Sequence, residues 1–403
     1  MGRNRKDLST TSKVAGSLSF AALARSLKRS TVEEEIEREG CREKRIRMLP
    51  SYLVVYYVVA MCIYGQVGVC EVLRWVLDEA RGMFGLGEVR VATSGGISMA
   101  RQRLGEKVME ALYRRVVGPV AVEATRGAWY AGKRVTAVDG STLDLQDTSE
   151  NAGHYGYAET SRGECAFPKL RFVTLVEVGT HVLFAARMAP YKVSEQALAA
   201  EVITELTPDM LCMADRLFYG YEFWRKARAT GADLLWRVKG NLGLPVEERL
   251  PDGSYLTTIY AGTSRRERAD GGDRVRVVEY RLTGEGAPEE TYRLLTTLLD
   301  HELHPARDLA ELYPQRWEIE ITYDEFKTHL RGGRVVLRSK TPRLVEQEFY
   351  AFLLAHYCLR HLMHEAALAN GVPPLRLSYK HAVEVLKRRL PAYEAGFSPS
   401  GRR

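Results

Sequence analysis

Much of what marks the common protein classes is missing from this chain. Its 403 residues hold six cysteines (Cys41, Cys62, Cys70, Cys165, Cys212 and Cys358), scattered mostly in apolar stretches with no Cys-x-x-Cys pair. That pattern excludes a disulfide framework and a conventional zinc site, so the expected compartment is a reducing cytoplasm. There is no Gly-x-Ser-x-Gly elbow, and Gly85-Leu-Gly87 lacks the strand-to-helix setting of a phosphate loop. His154, His181, His301, His304 and His329 show no ligand spacing. Long apolar runs are scarce as well. The charge-free stretch from Tyr52 to Cys70 has membrane-spanning length, but it contains four tyrosines, Gln66 and two glycines and reads as a buried helix. The apolar stretch at Phe20 to Ala24 is too short for a signal peptide, and no internal repeat or low-complexity tract is evident.

Acidic residues are lacking in one place. From Met1 to Thr31 only Asp7 opposes seven basic residues, so this segment carries +6 of the net +7 and leaves the remainder nearly neutral. It reads as a flexible basic arm, and the overall charge is by itself a weak pointer to a polyanionic partner. The rest has ordinary globular composition, 45% hydrophobic and 27% charged, at a length that suits two or three domains.

Residues 32–125 read as helical. An acidic stretch from Glu33 to Glu39 is followed by Arg42, Lys44, Arg45 and Arg47, then by the Tyr52 segment and a glycine-rich break near Gly82 to Gly87. Ser94 or Ser98 is placed to cap a further helix that presents Arg101 and Arg103. From Lys133 the pattern changes. A strand leads to Asp139, and Leu170 to Val178 with His181 to Met188 form a hairpin split at Gly179. Helical periodicity then covers Ser194 to Leu206, Met210 to Ala214 is a strand, Tyr221 to Thr230 a helix and Asp233 to Val238 a strand. Strand, hairpin, helix, strand, helix, strand is the order of a ribonuclease H-like α/β domain. Residues 240–297 read as a β-rich insertion, and Leu344 to Ala369 as a long, largely apolar helix. The expected division is an arm (1–31), a helical domain (32–125), an α/β domain (130–340) and a C-terminal helical region (341–403).

The most informative segment runs Leu-Tyr-Pro-Gln-Arg-Trp-Glu-Ile-Glu-Ile-Thr-Tyr-Asp-Glu-Phe-Lys from Leu312. Tyr313, Arg316, Glu320 and Lys327 fall at offsets 0, 3, 7 and 14, one stripe of a continuous helix. An apolar seam is the ordinary use of such a stripe; this one carries Arg, Glu and Lys, which marks it as a site. Pro314 suggests that the helix starts there with Tyr313 at its cap. Two further carboxylates, Asp139 and Asp215, each follow a short apolar run, the setting in which a buried strand delivers a side chain to the edge of a sheet. Asp144 and Asp147 compete with Asp139 but do not sit at the end of the apolar strand, and Glu318 competes with Glu320 but projects elsewhere on the helix.

The Tyr-x2-Arg-x3-Glu-x6-Lys pattern, together with Asp139 and Asp215, resembles the signature of the DDE transposases of bacterial insertion sequences, specifically the insertion sequence four family, over roughly residues 45 to 370. The resemblance implies that Asp139, Asp215 and Glu320 are the catalytic and metal-binding triad. Three carboxylates offer only hard oxygen donors, which suit Mg²⁺ or Mn²⁺ and two-metal attack on a phosphodiester. It implies that Tyr313, Arg316 and Lys327 hold phosphates, and that Arg216, Arg237 and Lys239 lie near DNA. It also implies that the helical N-terminal region, with Arg101 and Arg103, recognises the element's ends. In some relatives a tryptophan of the insertion stacks on a base flipped out during hairpin formation; Tyr292 occupies the matching place, a departure that bears on that step. The implied partners are double-stranded DNA, as terminal inverted repeats and target, and a second copy of the chain in a synaptic complex. The rival readings are a ribonuclease H-like nuclease without strand transfer and a silenced DNA-binding descendant of a transposon.

Overall fold

Met210 to Ala214 is apolar at every position, and all five residues are buried, as a parallel strand covered on both faces requires. Around it, the computed structural model describes residues 23–45, 49–85, 90–160, 163–262, 271–281, 291–330, 332–333 and 336–387. Most of the expected basic arm and the last residues of the C-terminal region lie outside these.

Five strands form the centre of the sheet: β1 (Lys133–Leu145), β2 (Gly163–Glu177), β3 (Val182–Pro190), β4 (Met210–Ala214) and β5 (Asp233–Arg237). Their spatial order is β3-β2-β1-β4-β5; the hairpin β2–β3 and the β1–β2 pair are antiparallel, while β4 and β5 run parallel to β1. The connections of the parallel pairs hold the helices α6 (Glu195–Val202) and α7 (Tyr221–Arg228), with Ser194 capping α6 through the Ala197 N–H at 3.2 Å. The expected β-rich insertion continues the same sheet: β6 (Glu248–Arg249), β7 (Tyr255–Ile259), β8 (Asp273–Arg281) and β9 (Thr291–Thr296) form antiparallel pairs in sequence, and β9 docks on β5.

Among the described residues, the helices α1 (Arg29–Arg38), α2 (Ser51–Ile63), α3 (Val69–Phe84), α4 (Ser94–Leu104) and α5 (Lys107–Val116) precede the sheet. Residues 23–26 are already helical, ahead of the expected boundary at 32. Twelve of the thirteen residues of α2 are buried, because an apolar helix with no polar face needs cover all round. Much of that cover is α10 (Pro342–Ala369), where Cys62 Sγ approaches the Glu348 carbonyl at 3.7 Å. The N-terminal helices therefore share one continuous core with the sheet and with α10. Among the described residues no helix is long and apolar enough to cross a membrane.

The cap of α4 is Thr93, whose hydroxyl accepts from the Gly96 N–H at 3.2 Å, and neither Ser94 nor Ser98 serves. Arg101 overturns a second expectation. It falls on the buried face of α4 with Ile97, Ala100 and Leu104. There its guanidinium donates to Gln347 Oε1 (2.8 Å), Ser339 Oγ (2.9 Å) and the Leu344 carbonyl (3.1 Å). It ties α4 to the start of α10 and is not available to a phosphate. Arg103, two residues on, is part-exposed, with Glu43 at 4.0 Å.

Candidate active site

The register of three parallel strands builds the centre of the site. Val138 pairs with Ala214, and Ala214 with Trp236, as the last partners of β1 with β4 and of β4 with β5. The next residue on each strand is Asp139, Asp215 and Arg237, so these three start one row just beyond the parallel ladder. Asp139 does not end its strand as expected; it sits mid-strand, because β1 continues along β2, where Asp139 pairs with Thr174. Its far end gains a short parallel partner at Val336–Leu337. What ends at Asp139 is the neighbour β4. Asp144 and Asp147 have separate duties: Asp144 is buried in an ion pair with Lys169, and Asp147 accepts from the Tyr157 hydroxyl at 2.7 Å.

The segment with Glu320 is not one helix, and it does not begin at Pro314. A helix α8 (Ala306–Leu312) runs into a 3₁₀ segment at Tyr313–Trp317, then α9 (Glu318–Asp324), then a π turn at Glu325–His329. Tyr313 is itself helical (φ −56°, ψ −37°) despite preceding a proline. Missing its amide hydrogen, Pro314 tightens the path to 3₁₀ and does not start it. The stripe of a continuous helix is thereby broken up. Tyr313 is buried, and its hydroxyl donates inward to the Ala214 carbonyl at 3.2 Å, bracing the end of β4 next to Asp215. Arg316 is also buried. Nη1 lies 3.8 Å from Asp139 Oδ2 and Nη2 lies 3.9 Å from Glu320 Oε1, while Nε has no hydrogen-bond partner. Glu320 is half exposed beside it.

Asp139 has its carboxyl pushed up to about 6. Burial is the main cause, opposed by the Gly140 N–H, which donates to Oδ1 at 2.8 Å, and by the Arg316 charge; Glu195 and Glu320 push the other way. Glu195, at the first turn of α6, is a carboxylate that sequence reasoning did not single out. Its side chain lies against Gly140, where an added Cβ would stand 2.6 Å from Glu195 Oε1. The one signal for it was the glycine following Asp139.

Lys327, in the π turn, donates to Ser141 Oγ at 2.8 Å, and burial holds its ammonium below the usual range against the pull of Asp144 and Asp324. Asp139, Ser141, Glu320 and Lys327 line one cleft of about 430 Å³. Tyr323 lines it too and is a second residue missed from sequence: its hydroxyl donates to the Asp139 carbonyl at 2.7 Å and receives the Thr174 hydroxyl at 2.8 Å. Glu318 points away, to His181 Nε2 at 2.9 Å.

On the neighbouring side, Arg237 lies over the Tyr292 ring at 3.9 Å, and Tyr292 stacks on Tyr280 with centroids 5.4 Å apart. Tyr280 and Tyr292 are direct cross-strand partners, so three strands contribute to one cation–aromatic stack. Lys239 and Arg216 are exposed, and the Arg216 N–H donates to Asp215 Oδ1 at 2.7 Å.

All the candidate cation donors are carboxylate oxygens, which fit a hard divalent ion. Burial raises the Asp139 carboxyl, and the Arg316 guanidinium lies between Asp139 and Glu320, 3.8 Å from the first and 3.9 Å from the second. Among the described residues no three His, Cys, Asp or Glu side chains are grouped so as to hold a metal ion.

Residues 130–358 match the transposase DDE domain family, and residues 17–114 match the insertion element 4 transposase N-terminal family. Among curated proteins, the transposase InsG for insertion sequence element IS4 of Escherichia coli is 28% identical over 368 residues, covering 90% of this chain and 81% of that protein. The putative transposase InsZ of the same organism is 28% identical over 193 residues, covering 48% and 62%. Among solved structures, a piggyBac transposase synaptic complex with hairpin DNA overlays with a TM-score of 0.49 at 10% identity, covering 91% of this chain and 79% of that one, too distant to carry a fold assignment.

Proposed function

The chain belongs to the DDE transposases of the insertion element 4 type, and on that premise we propose that it binds the terminal inverted repeats of its own element, cuts the DNA there and joins the freed 3′-hydroxyls to target DNA by cut-and-paste transposition. The observation that carries this reading is the Val138–Ala214 register, which starts Asp139 and Asp215 side by side, with Glu320 facing Asp139 across Arg316. The β3-β2-β1-β4-β5 order supports a ribonuclease H-like catalytic domain at about 130–340.

Asp139, Asp215 and Glu320 are the proposed catalytic carboxylates and the holders of Mg²⁺ or Mn²⁺. Such an ion, when bound, supplies activation of the attacking oxygen and neutralisation of the leaving one. Arg316 lies between Asp139 and Glu320, and its buried cation offsets the repulsion between the two carboxylates. Lys327, anchored on Ser141, presents a point charge in the cleft for a phosphate next to the cut. Arg216 and Lys239 are exposed cations for the DNA backbone, and the Arg237–Tyr292–Tyr280 stack offers a flat face for an unpaired base. Arg103 is the candidate end contact remaining in the N-terminal helices. Action as a homodimer in a synaptic complex is proposed from the family resemblance.

The test is incubation of the purified protein with a labelled duplex carrying the element's terminal repeat and with supercoiled plasmid, in Mg²⁺, Mn²⁺ or chelator, for wild type and Glu320→Ala. Metal-dependent and Glu320-dependent joining to the plasmid is the expected result. Cleavage without joining identifies a nuclease, and binding with neither reaction identifies a silenced descendant.

A further inference from the structure

Glu320 has a single ion-pair partner among the described residues, Arg316 at 3.9 Å, and is nearly half exposed. Nothing at the carboxylate itself fixes its direction, so its aim depends on how the short helix α9 is held. One residue that holds it lies outside the site, at the turn between β2 and β3. His181 is buried and adopts φ +58°, a left-handed conformation that a non-glycine residue enters only under constraint from its surroundings.

The imidazole touches both ends of the segment bearing Glu320. Nε2 lies 2.9 Å from Glu318 Oε2, at the start of α9. Nδ1 lies 3.2 Å from Glu325 Oε1, where the π turn begins, and 2.7 Å from Arg360 Nη2. A guanidinium can only donate, so Nδ1 is the acceptor of Arg360 and the ring proton resides on Nε2, donated to Glu318. Arg360 also pairs with Glu325, its Nε donating to Oε2 at 3.0 Å. Arg360 and Glu325 are both buried, so the pair is little screened. The chain Arg360, His181, Glu318 therefore bolts the first turn of α9 to the long helix α10, while Arg360 and Glu325 bolt its far end. A π turn accommodates one extra residue per turn and recurs at functional sites. Here it starts at the residue clamped by Arg360.

We propose that His181 is a positioning residue for the Glu320 carboxylate, acting through its hydrogen bond to Glu318. This rests on the reading of Glu320 as catalytic. A displacement of about 1 Å in a reacting group can cost on the order of a hundredfold in rate, so loosening the first turn of α9 lowers turnover with no change at the DNA-contacting cations.

Two pairs of variants test it in the full chain. Glu318 is part-exposed, so Glu318→Ala and Glu318→Gln keep the fold; only the amide retains an acceptor for Nε2–H. His181→Gly keeps the left-handed backbone and removes the ring. Single-turnover cleavage and repeat binding are measured at a temperature below the melting point of every variant. The proposal expects Glu318→Ala and His181→Gly each to cleave at least about tenfold more slowly with repeat affinity within about twofold of wild type. Glu318→Gln recovers most of the rate, and the double variant is no slower than His181→Gly alone. Wild-type cleavage rates in Glu318→Ala, with or without a fall in melting temperature, overturn it. Wild-type cleavage by Glu320→Ala in the same assay overturns the reading of the site itself, and the positioning role with it.

Discussion

The Tyr323 hydroxyl donates to the backbone carbonyl of Asp139 at 2.7 Å, joining the helix that carries Glu320 to the strand that carries Asp139. Thr174, the β2 residue paired with Asp139, completes the joint from the other side at 2.8 Å. Tyr323 also packs edge-on against Phe172, which touches Phe326 and, through it, α10. The spacing of the two carboxylates is thus set by a buried hydroxyl and an aromatic cluster.

Tyr323→Phe keeps the ring packing and deletes the bond. The expected loss is about 1 kcal/mol of unfolding free energy, read by denaturant unfolding, with cleavage slowed more than repeat binding. Unchanged cleavage with unchanged stability would remove Tyr323 from the joint.

Asp139 predicts an unusual pH dependence in the absence of divalent ions. Its folded-state value is raised to about 6 from 3.8, so the folded chain holds this proton more tightly than the unfolded chain does. The associated stability is fully present below about 4 and is lost as pH rises through about 6, on the order of 3 kcal/mol. Asp139→Asn, which cannot ionise, should therefore melt higher than wild type at pH 8 in chelator, and Mg²⁺ or Mn²⁺ should raise wild type but not the variant. A lower melting point for Asp139→Asn at pH 8 would contradict the strained carboxylate.

Lys327→Ala removes one cation from the cleft. Repeat binding should weaken, and the slope of log affinity against log salt should become shallower by about 1. Identical slopes for the two proteins would show that Lys327 serves only to hold Ser141.

For Arg101 the structure and the resemblance make opposite predictions. Buried on Gln347, Ser339 and Leu344, it should cost about 3 kcal/mol of stability on replacement by alanine, with repeat affinity of the folded protein unchanged. Arg103→Ala should show the reverse, weaker repeat binding with little change in melting. A loss of repeat affinity in Arg101→Ala at full folding would restore it to the DNA surface.

Strands β4 and β5 were legible to within a residue, because an unbroken apolar run of five in β4 and of three between Asp233 and Arg237 in β5 leaves little choice of period. The hairpin turn at Gly179 and the long helix at Leu344 were plain too, although β2 starts at Gly163, seven residues before the expected Leu170. The path from Tyr313 to Lys327 was not. A proline and a buried Glu325 shift the local winding from 3₁₀ to α to π, and a stripe counted at a constant pitch cannot follow such changes. Arg101 misled for a related reason: on α4 the polar and buried faces overlap, and an arginine with three waiting acceptors in another element is stable inside.

The amino-acid sequence by itself determined which residues could do chemistry here: three hard carboxylates, an arginine and a lysine in a recurring spacing, on a chain without cysteine or serine machinery. Which of those residues meet was decided only by the tertiary structure. Asp139 and Asp215 are 76 positions apart and begin the same row because Val138 pairs with Ala214. Glu195 adds its charge to the surroundings of Asp139 because Gly140 leaves room for its side chain. His181 touches Glu318 and Glu325 because a turn and two helices converge on one buried ring. Strand register and helix packing are long-range agreements between apolar surfaces, and no local pattern of residues records them.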